Sequence, residues 1–212
     1  MKNYKYYFFD LDGTLTQSEF GIFESVRYAL NKLGLEDIDE EVLKTFIGPP
    51  IYFSFNTTCG FEPEVAEKAV AYYREHYDAA GYKNSPLYPG VLEFLKRLKD
   101  SGAKLAVVTG KPEAIARSLL ECREIDGFFD VLVGPSLANR NPDKACLITE
   151  ALGKLSVEDK NDVVMIGDRV FDIEGAKTVG IDSIGVLYGY GSKEELTEAG
   201  ATYIVSDVSE IF

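Results

Sequence analysis

Residues 6–15 read YYFFDLDGTL, an aromatic run that ends in two acidic residues and a turn. The run from Tyr4 to Phe9 has no helical period, which is typical of a strand buried on both faces of a parallel sheet. In open α/β sheets the ligand crevice lies at the carboxyl ends of the strands. This stretch is therefore predicted to deliver Asp10 and Asp12 to a functional site.

Two carboxylates beside an apolar strand are costly unless a cation lies near both. A divalent cation that prefers oxygen ligands, such as Mg²⁺, meets that need with few protein ligands. An ordinary turn in which Asp10 acts as a cap is the alternative interpretation. A calcium-binding loop is disfavoured because Leu15 and Phe20 stand where polar ligands are required.

The composition fits one α/β core with a small insertion. The chain has 212 residues, 46% of them hydrophobic, and a formal net charge of -13. Nucleic acids and anionic membranes are recognised by basic surfaces, so we expect neither as a partner. A small phosphorylated metabolite remains compatible, because a local cation dominates within a screening length of roughly 8 Å.

Location and assembly are predicted from similarly simple features. Three widely spaced cysteines, the absence of a signal-peptide pattern and the absence of an apolar run of ~18 residues predict a cytoplasmic protein. We expect a monomer or a weak homodimer.

Only helices are predicted between the first strand and the rest of the α/β pattern. Apolar residues recur at helical spacing from Phe20 to Leu33 and again along residues 64–80. Strand and helix signals alternate only after Pro86. The chain is therefore predicted to carry an all-helical insertion near its start.

Two domains follow from this pattern: an α/β core at residues 1–17 and 86–212, and a helical domain at residues 18–85. The core is predicted to be a doubly wound, mostly parallel, Rossmann-like sheet with strand order about 5-4-1-2-3 and an extra edge strand. Linkers at residues 16–18 and 85–89 would act as hinges of a lid, and permanent packing of the helices on the core is the alternative.

Thr109 ends the second predicted strand, residues 105–108, just before a helix that begins near Pro112. A hydroxyl beside the free N–H groups of a helix start can hold an anion, although threonine is also a common helix cap. Gly110 and Lys111 do not belong to a nucleotide-binding P-loop, because the upstream glycine of that motif is missing.

Residues 163–166 form an apolar run that predicts another buried strand, and Asp168 follows it closely. Asp172 lies four residues later, on the same side if a helix has begun. We expect Asp168 to reach the same cation as Asp10, and Asp172 to bind it through water or to support the other ligands. Helix capping with an acid in the first turn is the alternative interpretation.

Asn141 and Pro142 predict the start of a helix, with Asn141 as its cap and Lys144 in its first turn. The helix dipole disfavours a cation there, so a functional reason for Lys144 is worth seeking. A solvent-exposed lysine is the simpler interpretation.

These motifs together resemble the haloacid dehalogenase-like hydrolase superfamily. Residues 9–15 match its first motif throughout, and residues 167–172 match its fourth. Residues 180–191 are similar to its phosphoglycolate phosphatase-like branch, and the helical insertion resembles the cap that follows the first motif in that family. The resemblance covers nearly the whole chain.

The resemblance implies a role for each candidate residue. Asp10 is implied as the nucleophile, Asp12 as the acid and base, and Thr109 as a phosphate-holding hydroxyl. Lys144 is implied as the phosphate-holding cation, with Arg140 as the alternative. The common family pattern has its lysine directly before the proline, a position that Asn141 fills here.

The resemblance also implies Mg²⁺ as the cofactor, bound by an Asp10 oxygen, the Asp12 carbonyl oxygen and Asp168. For the substrate we expect contacts from five residues: Thr16, Gly48, Pro49, Gly110 and Lys111.

The implied activity is hydrolysis of phosphoglycolate or a nucleoside 5′-monophosphate through an aspartyl-phosphate. A β-phosphoglucomutase-like phosphotransferase, a pyrophosphatase and a non-catalytic binding protein are the alternatives. The acid at Asp12 separates the chain from P-type ATPases, which have a threonine there and membrane spans. It also separates the chain from dehalogenases, which need neither this acid nor the metal.

Overall fold

The computed structural model describes residues 1–35, 38–137, 139 and 143–211. The chain divides into two compact units, one made of residues 1–17 and 87–212 and the other of residues 18–86. The first unit holds the sheet, and the second is built from helices.

A parallel sheet of six strands forms the centre of the first unit. Its strands are β1 (Tyr6–Phe9), β2 (Lys104–Val108), β3 (Val131–Val133), β4 (Val163–Gly167), β5 (Asp182–Val186) and β6 (Tyr203–Val205). They lie in the order β3-β2-β1-β4-β5-β6. The predicted α/β class is confirmed, and from the β5 side the first five strands run 5-4-1-2-3 as expected. In detail, β6 extends the sheet beside β5, and it is parallel like every other pairing.

Nine α-helices are found in the described part of the chain. They are α1 (Glu19–Lys32), α2 (Glu40–Lys44), α3 (Ile51–Phe53), α4 (Pro63–Tyr77), α5 (Val91–Asp100), α6 (Glu113–Cys122), α7 (Lys144–Lys154), α8 (Val170–Val179) and α9 (Lys193–Ala199). A π-helical turn, Ser54–Thr58, continues from α3. Helices α1 to α4 belong to the second unit, where α1 packs along α4.

The aromatic run is the central strand of the sheet, with β2 on one side and β4 on the other. Its last three residues are fully buried, and Phe9 packs edge-on against Phe94 of α5 with ring centroids 6.1 Å apart. Both faces are covered, which explains why the run lacks the alternation of a half-exposed strand. Phe9 is level with Val107 of β2 and Ile166 of β4, so the three strands end at one edge.

The start of α7 differs from the prediction. Asp143 is the N-cap residue, and its side chain accepts a hydrogen bond of 3.0 Å from the Cys146 N–H. The expectation that Asn141 caps this helix is wrong, because the helix begins later and a carboxylate serves the free N–H group instead. Asn141 and Pro142 lie outside the described residues. Lys144 is the first residue of α7.

The hydrophobic composition of the helices was also compared with that of membrane spans. Among the helices of the described residues, none combines the length and the apolar character that crossing a bilayer requires.

Truncating a core residue of α7 should destabilise the first unit. Ile148 is fully buried in a cluster with Phe8 and Met165, whereas its neighbour Thr149 is exposed. We expect Ile148→Ala to lower the free energy of unfolding by ~2–5 kcal/mol, because the lost side chain leaves a cavity. The matched variant Thr149→Ala should change it by less than about 0.5 kcal/mol. Urea denaturation measures both, and equal effects would contradict this packing.

Candidate active site

Three strands present polar side chains where they end. Asp10 follows β1, Thr109 follows β2 and Asp168 follows β4. The Asp10 N–H also donates a hydrogen bond of 2.9 Å to the Ile166 carbonyl of β4, which fixes the start of the loop after β1. The edge of the sheet therefore gathers residues that are far apart in sequence.

A group of three carboxylates occupies this edge. One oxygen each from Asp10, Asp168 and Asp172 can be chosen so that all lie within 4.8 Å of one another. Asp172 is 1% exposed and stands in the first turn of α8, where it accepts a hydrogen bond from the Arg169 N–H. Its carboxylate is thus a member of the group itself, nearer than an outer supporting position requires.

The approach of Asp172 depends on a glycine in β4. A Cβ atom added to Gly167 would lie 2.2 Å from Asp172 Cγ, a distance that side chains do not tolerate. The glycine before Asp168 therefore makes room for the second acid of the motif.

Lys144 lies inside the carboxylate group. Its Nζ is 3.2 Å from Asp10 Oδ1 and 2.8 Å from Asp172 Oδ1, and it donates a hydrogen bond of 3.0 Å to the Val108 carbonyl. Burial lowers the pKa of Lys144, but the Asp10 and Asp172 carboxylates raise it by more, so the net shift is upward. The side chain is 9% exposed and stays charged. Arg140, the alternative cation, lies outside the described residues.

Asp168 is held by neutral donors. The Thr14 hydroxyl donates to Asp168 Oδ1 at 3.1 Å, and the Tyr190 N–H donates to Oδ2 at 2.9 Å. Burial raises the pKa of Asp168 well above its usual value, and the nearby charges of Asp172 and Asp10 raise it further. The contact with Tyr190 was not anticipated from the sequence, because a backbone donor in a distant loop has no residue signature.

Asp12 turns to a different partner. Its carboxylate lies outside the three-acid group, and Oδ2 is 2.6 Å from Lys111 Nζ. A substrate contact was expected from Lys111, and the structure instead pairs its ammonium group with Asp12. The expectation that the Asp12 carbonyl oxygen binds metal stays a prediction.

Thr109 is buried at the end of β2. Its Oγ1 accepts a hydrogen bond of 3.1 Å from the Lys111 N–H, which leaves the hydroxyl proton for a further acceptor. Gly110 is exposed beside it. The threonine and its neighbouring N–H groups thus retain the anion-holding arrangement expected from the sequence.

The remaining predicted substrate contacts are less favoured by the geometry. Thr16 is fully buried, and its hydroxyl donates a hydrogen bond of 3.2 Å to the Leu11 carbonyl, so this side chain holds the loop after β1. Gly48 and Pro49 belong to the second unit, and their role stays a prediction.

The donor set suits a hard divalent cation. Asp10 Oδ1 and Asp172 Oδ1 are buried and meet Lys144 Nζ at ion-pair distance without hydrogen-bond geometry, so both oxygens keep acceptor capacity. The site holds four carboxylates, counting Asp12, against the two ammonium groups of Lys111 and Lys144. Two negative charges remain, which Mg²⁺ with its preference for oxygen ligands would balance.

Comparison with known proteins places this geometry in a family. The family model described as haloacid dehalogenase-like hydrolase matches residues 7–186. A 5′-nucleotidase of Pseudomonas aeruginosa is 36% identical over 203 residues, which span 96% of this chain and 91% of that protein. A phosphoglycolate phosphatase of Vibrio cholerae is 31% identical over 222 residues, which span 100% of this chain and 96% of that protein.

A solved structure agrees with these matches. The crystal structure of a predicted phosphatase from Clostridium acetobutylicum superposes with a TM-score of 0.90 at 42% sequence identity, covering 99% of this chain and 97% of that one. The match extends over sheet and helices alike, and the acidic residues stand at the strand ends where the family motifs require them. The chain belongs to the haloacid dehalogenase-like hydrolase family.

Proposed function

We propose that this protein is a magnesium-dependent phosphatase that hydrolyses a small phosphomonoester through an aspartyl-phosphate on Asp10. The observation that carries the proposal is the buried group formed by Asp10, Asp168, Asp172 and Lys144 at the carboxyl edge of the sheet. The relatives named 5′-nucleotidase and phosphoglycolate phosphatase support phosphomonoester chemistry.

In the first step an Asp10 oxygen attacks phosphorus while the bond from phosphorus to the leaving oxygen breaks. Lys144, 3.2 Å from Asp10, keeps the attacking carboxylate in place and faces the charge of the transferring group. Asp12, two residues away, gives its proton to the leaving oxygen. The Thr109 hydroxyl proton is available for a phosphate oxygen.

In the second step Asp12 takes a proton from water, which attacks the phosphorus of the aspartyl-phosphate. Inorganic phosphate leaves and the Asp10 carboxylate is restored. One residue serves as acid and then as base, so the two half-reactions return the site to its starting protonation state.

Mg²⁺, when bound, neutralises charge that develops on the phosphoryl oxygens and orients the phosphoryl group. Asp10 and Asp168 are the side chains proposed to hold it, with Asp172 near enough to contribute directly or through water. Thr14 and Tyr190 orient Asp168 for this role.

The helical unit of residues 18–86 is proposed to act as a cap that excludes water and selects the substrate. Phosphoglycolate and nucleoside 5′-monophosphates are the proposed substrates, because the two relatives above carry those activities in their names. Release of inorganic phosphate from one of them would support this assignment. Isomerisation of a hexose 1-phosphate without free phosphate would favour the phosphotransferase alternative.

Replacing the nucleophile should abolish turnover without unfolding the chain. We expect Asp10→Asn to lower kcat at least about 10³-fold, because an amide oxygen is a poor nucleophile. Magnesium-dependent release of phosphate from p-nitrophenyl phosphate measures the loss, and circular dichroism measures the fold.

Asp162→Asn is the matched control, since Asp162 is an ion-paired carboxylate that precedes β4 at the other end of the strand. This variant should keep wild-type turnover. Residual activity of Asp10→Asn equal to wild type would remove Asp10 from the mechanism.

Magnesium should protect the protein more at pH 7.5 than at pH 5. Burial raises the pKa of Asp172 to about 6, with Lys144 opposing and Asp10 adding to the shift, and the pKa of Asp168 is raised as well. An acid with a raised pKa binds more protons in the folded state, so the metal-free protein loses stability as pH rises through this window.

Protons therefore compete with the cation at low pH, and the competition ends once the acids ionise. The rise in Tm caused by saturating Mg²⁺ measures the difference between the two pH values. Asp168→Asn should shrink that rise at pH 7.5. An equal rise at both pH values in the wild type would contradict binding by these acids.

A further inference from the structure

A second buried ion pair in the site remains to be explained. Lys111 Nζ lies 2.6 Å from Asp12 Oδ2, and the two side chains are 6% and 19% exposed. Removing both groups from water is costly, and such pairs are weak contributors to stability. A buried lysine on this loop therefore calls for a reason other than folding.

The loop that carries Lys111 is held from both sides. The Lys111 N–H donates to the Thr109 hydroxyl at 3.1 Å. On the other side, the Lys111 carbonyl oxygen packs against Gly134, where an added Cβ atom would come within 2.6 Å of it. The backbone at Lys111 is thus fixed by the ends of β2 and β3, and its side chain is directed from a rigid base.

The two lysines of the site divide its carboxylates. Lys144 contacts Asp10 and Asp172, whereas Lys111 contacts Asp12. In the proposed mechanism Asp10 and Asp12 have different tasks, and each task requires its carboxylate in a separate place. The division matches the separation of nucleophile from acid and base.

We propose that Lys111 is a positioning residue that holds the Asp12 carboxylate where protons are exchanged with the leaving oxygen and with water. This inference rests on the proposed function and deepens it. Lys111 acts through Asp12, and it transfers no proton and forms no bond with the substrate.

Proton transfer requires an acid within hydrogen-bond reach of the oxygen it serves, and a displacement of about 1 Å can cost about 10²-fold in rate. Loss of Lys111 should therefore lower kcat and leave KM nearly unchanged. A lysine that bound the substrate phosphate would instead raise KM and weaken inhibition by inorganic phosphate.

The test is a double-mutant cycle between Lys111→Met and Asp12→Asn, with p-nitrophenyl phosphate as the substrate. We expect Lys111→Met alone to lower kcat on the order of 10²-fold. In the Asp12→Asn background the same change should cost less than about twofold, because the residue that Lys111 positions is already disabled. Single-turnover measurement at high enzyme concentration gives the slow rates.

Two further variants keep the result interpretable. Lys111→Arg retains a cation and should recover part of the lost kcat. Lys5→Met removes another Lys–Asp pair of the first unit, with Nζ and Oδ2 2.8 Å apart and the lysine 74% exposed, and should leave kcat unchanged. Circular dichroism of each variant establishes that it is folded.

Equal losses from Lys111→Met in both backgrounds would overturn the inference, since Lys111 would then act independently of Asp12. A tenfold weaker inhibition constant for inorganic phosphate, with kcat unchanged, would overturn it in favour of phosphate binding. Failure of the proposed function itself is distinguishable, because Asp10→Asn would then keep wild-type turnover.

Discussion

Mutual repulsion among carboxylates at one edge of a parallel sheet is the constraint on which the rest of this structure depends. Asp10, Asp168 and Asp172 crowd into a buried group, and Asp12 lies close by in sequence. Ionised carboxylates in such a place destabilise one another, as the raised pKa of Asp168 reflects. The arrangement is tolerable only where cations are supplied, and the protein supplies two lysines of its own.

The position of each lysine decides what chemistry the site can perform. Lys144 enters from the first turn of α7 and lies among the acids nearest the nucleophile. Lys111 enters from the loop after β2 and contacts only the acid assigned to proton transfer among the acids of the site. The remaining negative charge is the physical reason for a divalent cation, and phosphoryl transfer benefits from that neutralisation.

Much of the fold could be predicted from local signals, because buried strands and helix ends have recognisable sequences. The aromatic run before Asp10 and the apolar run before Asp168 identified β1 and β4, and parallel strands bring their carboxyl ends to one edge. The start of α7 was misplaced, because two adjacent capping candidates are hard to rank without knowing the backbone conformation.

The contacts within the site were harder to predict. The pairing of Lys111 with Asp12 depends on how a loop is pinned against Thr109 and Gly134, which no residue pattern encodes. The same holds for the Tyr190 N–H on Asp168. Sequence identifies which ionisable groups reach the edge of the sheet, whereas packing decides which of them meet.

The most direct test of the central claim is a crystal structure of the protein soaked with Mn²⁺, an anomalous scatterer that replaces Mg²⁺ at oxygen-rich sites. The account predicts one anomalous peak within coordination distance of carboxylate oxygens from both Asp10 and Asp168. A peak located elsewhere, or none at this edge under saturating Mn²⁺, would contradict it.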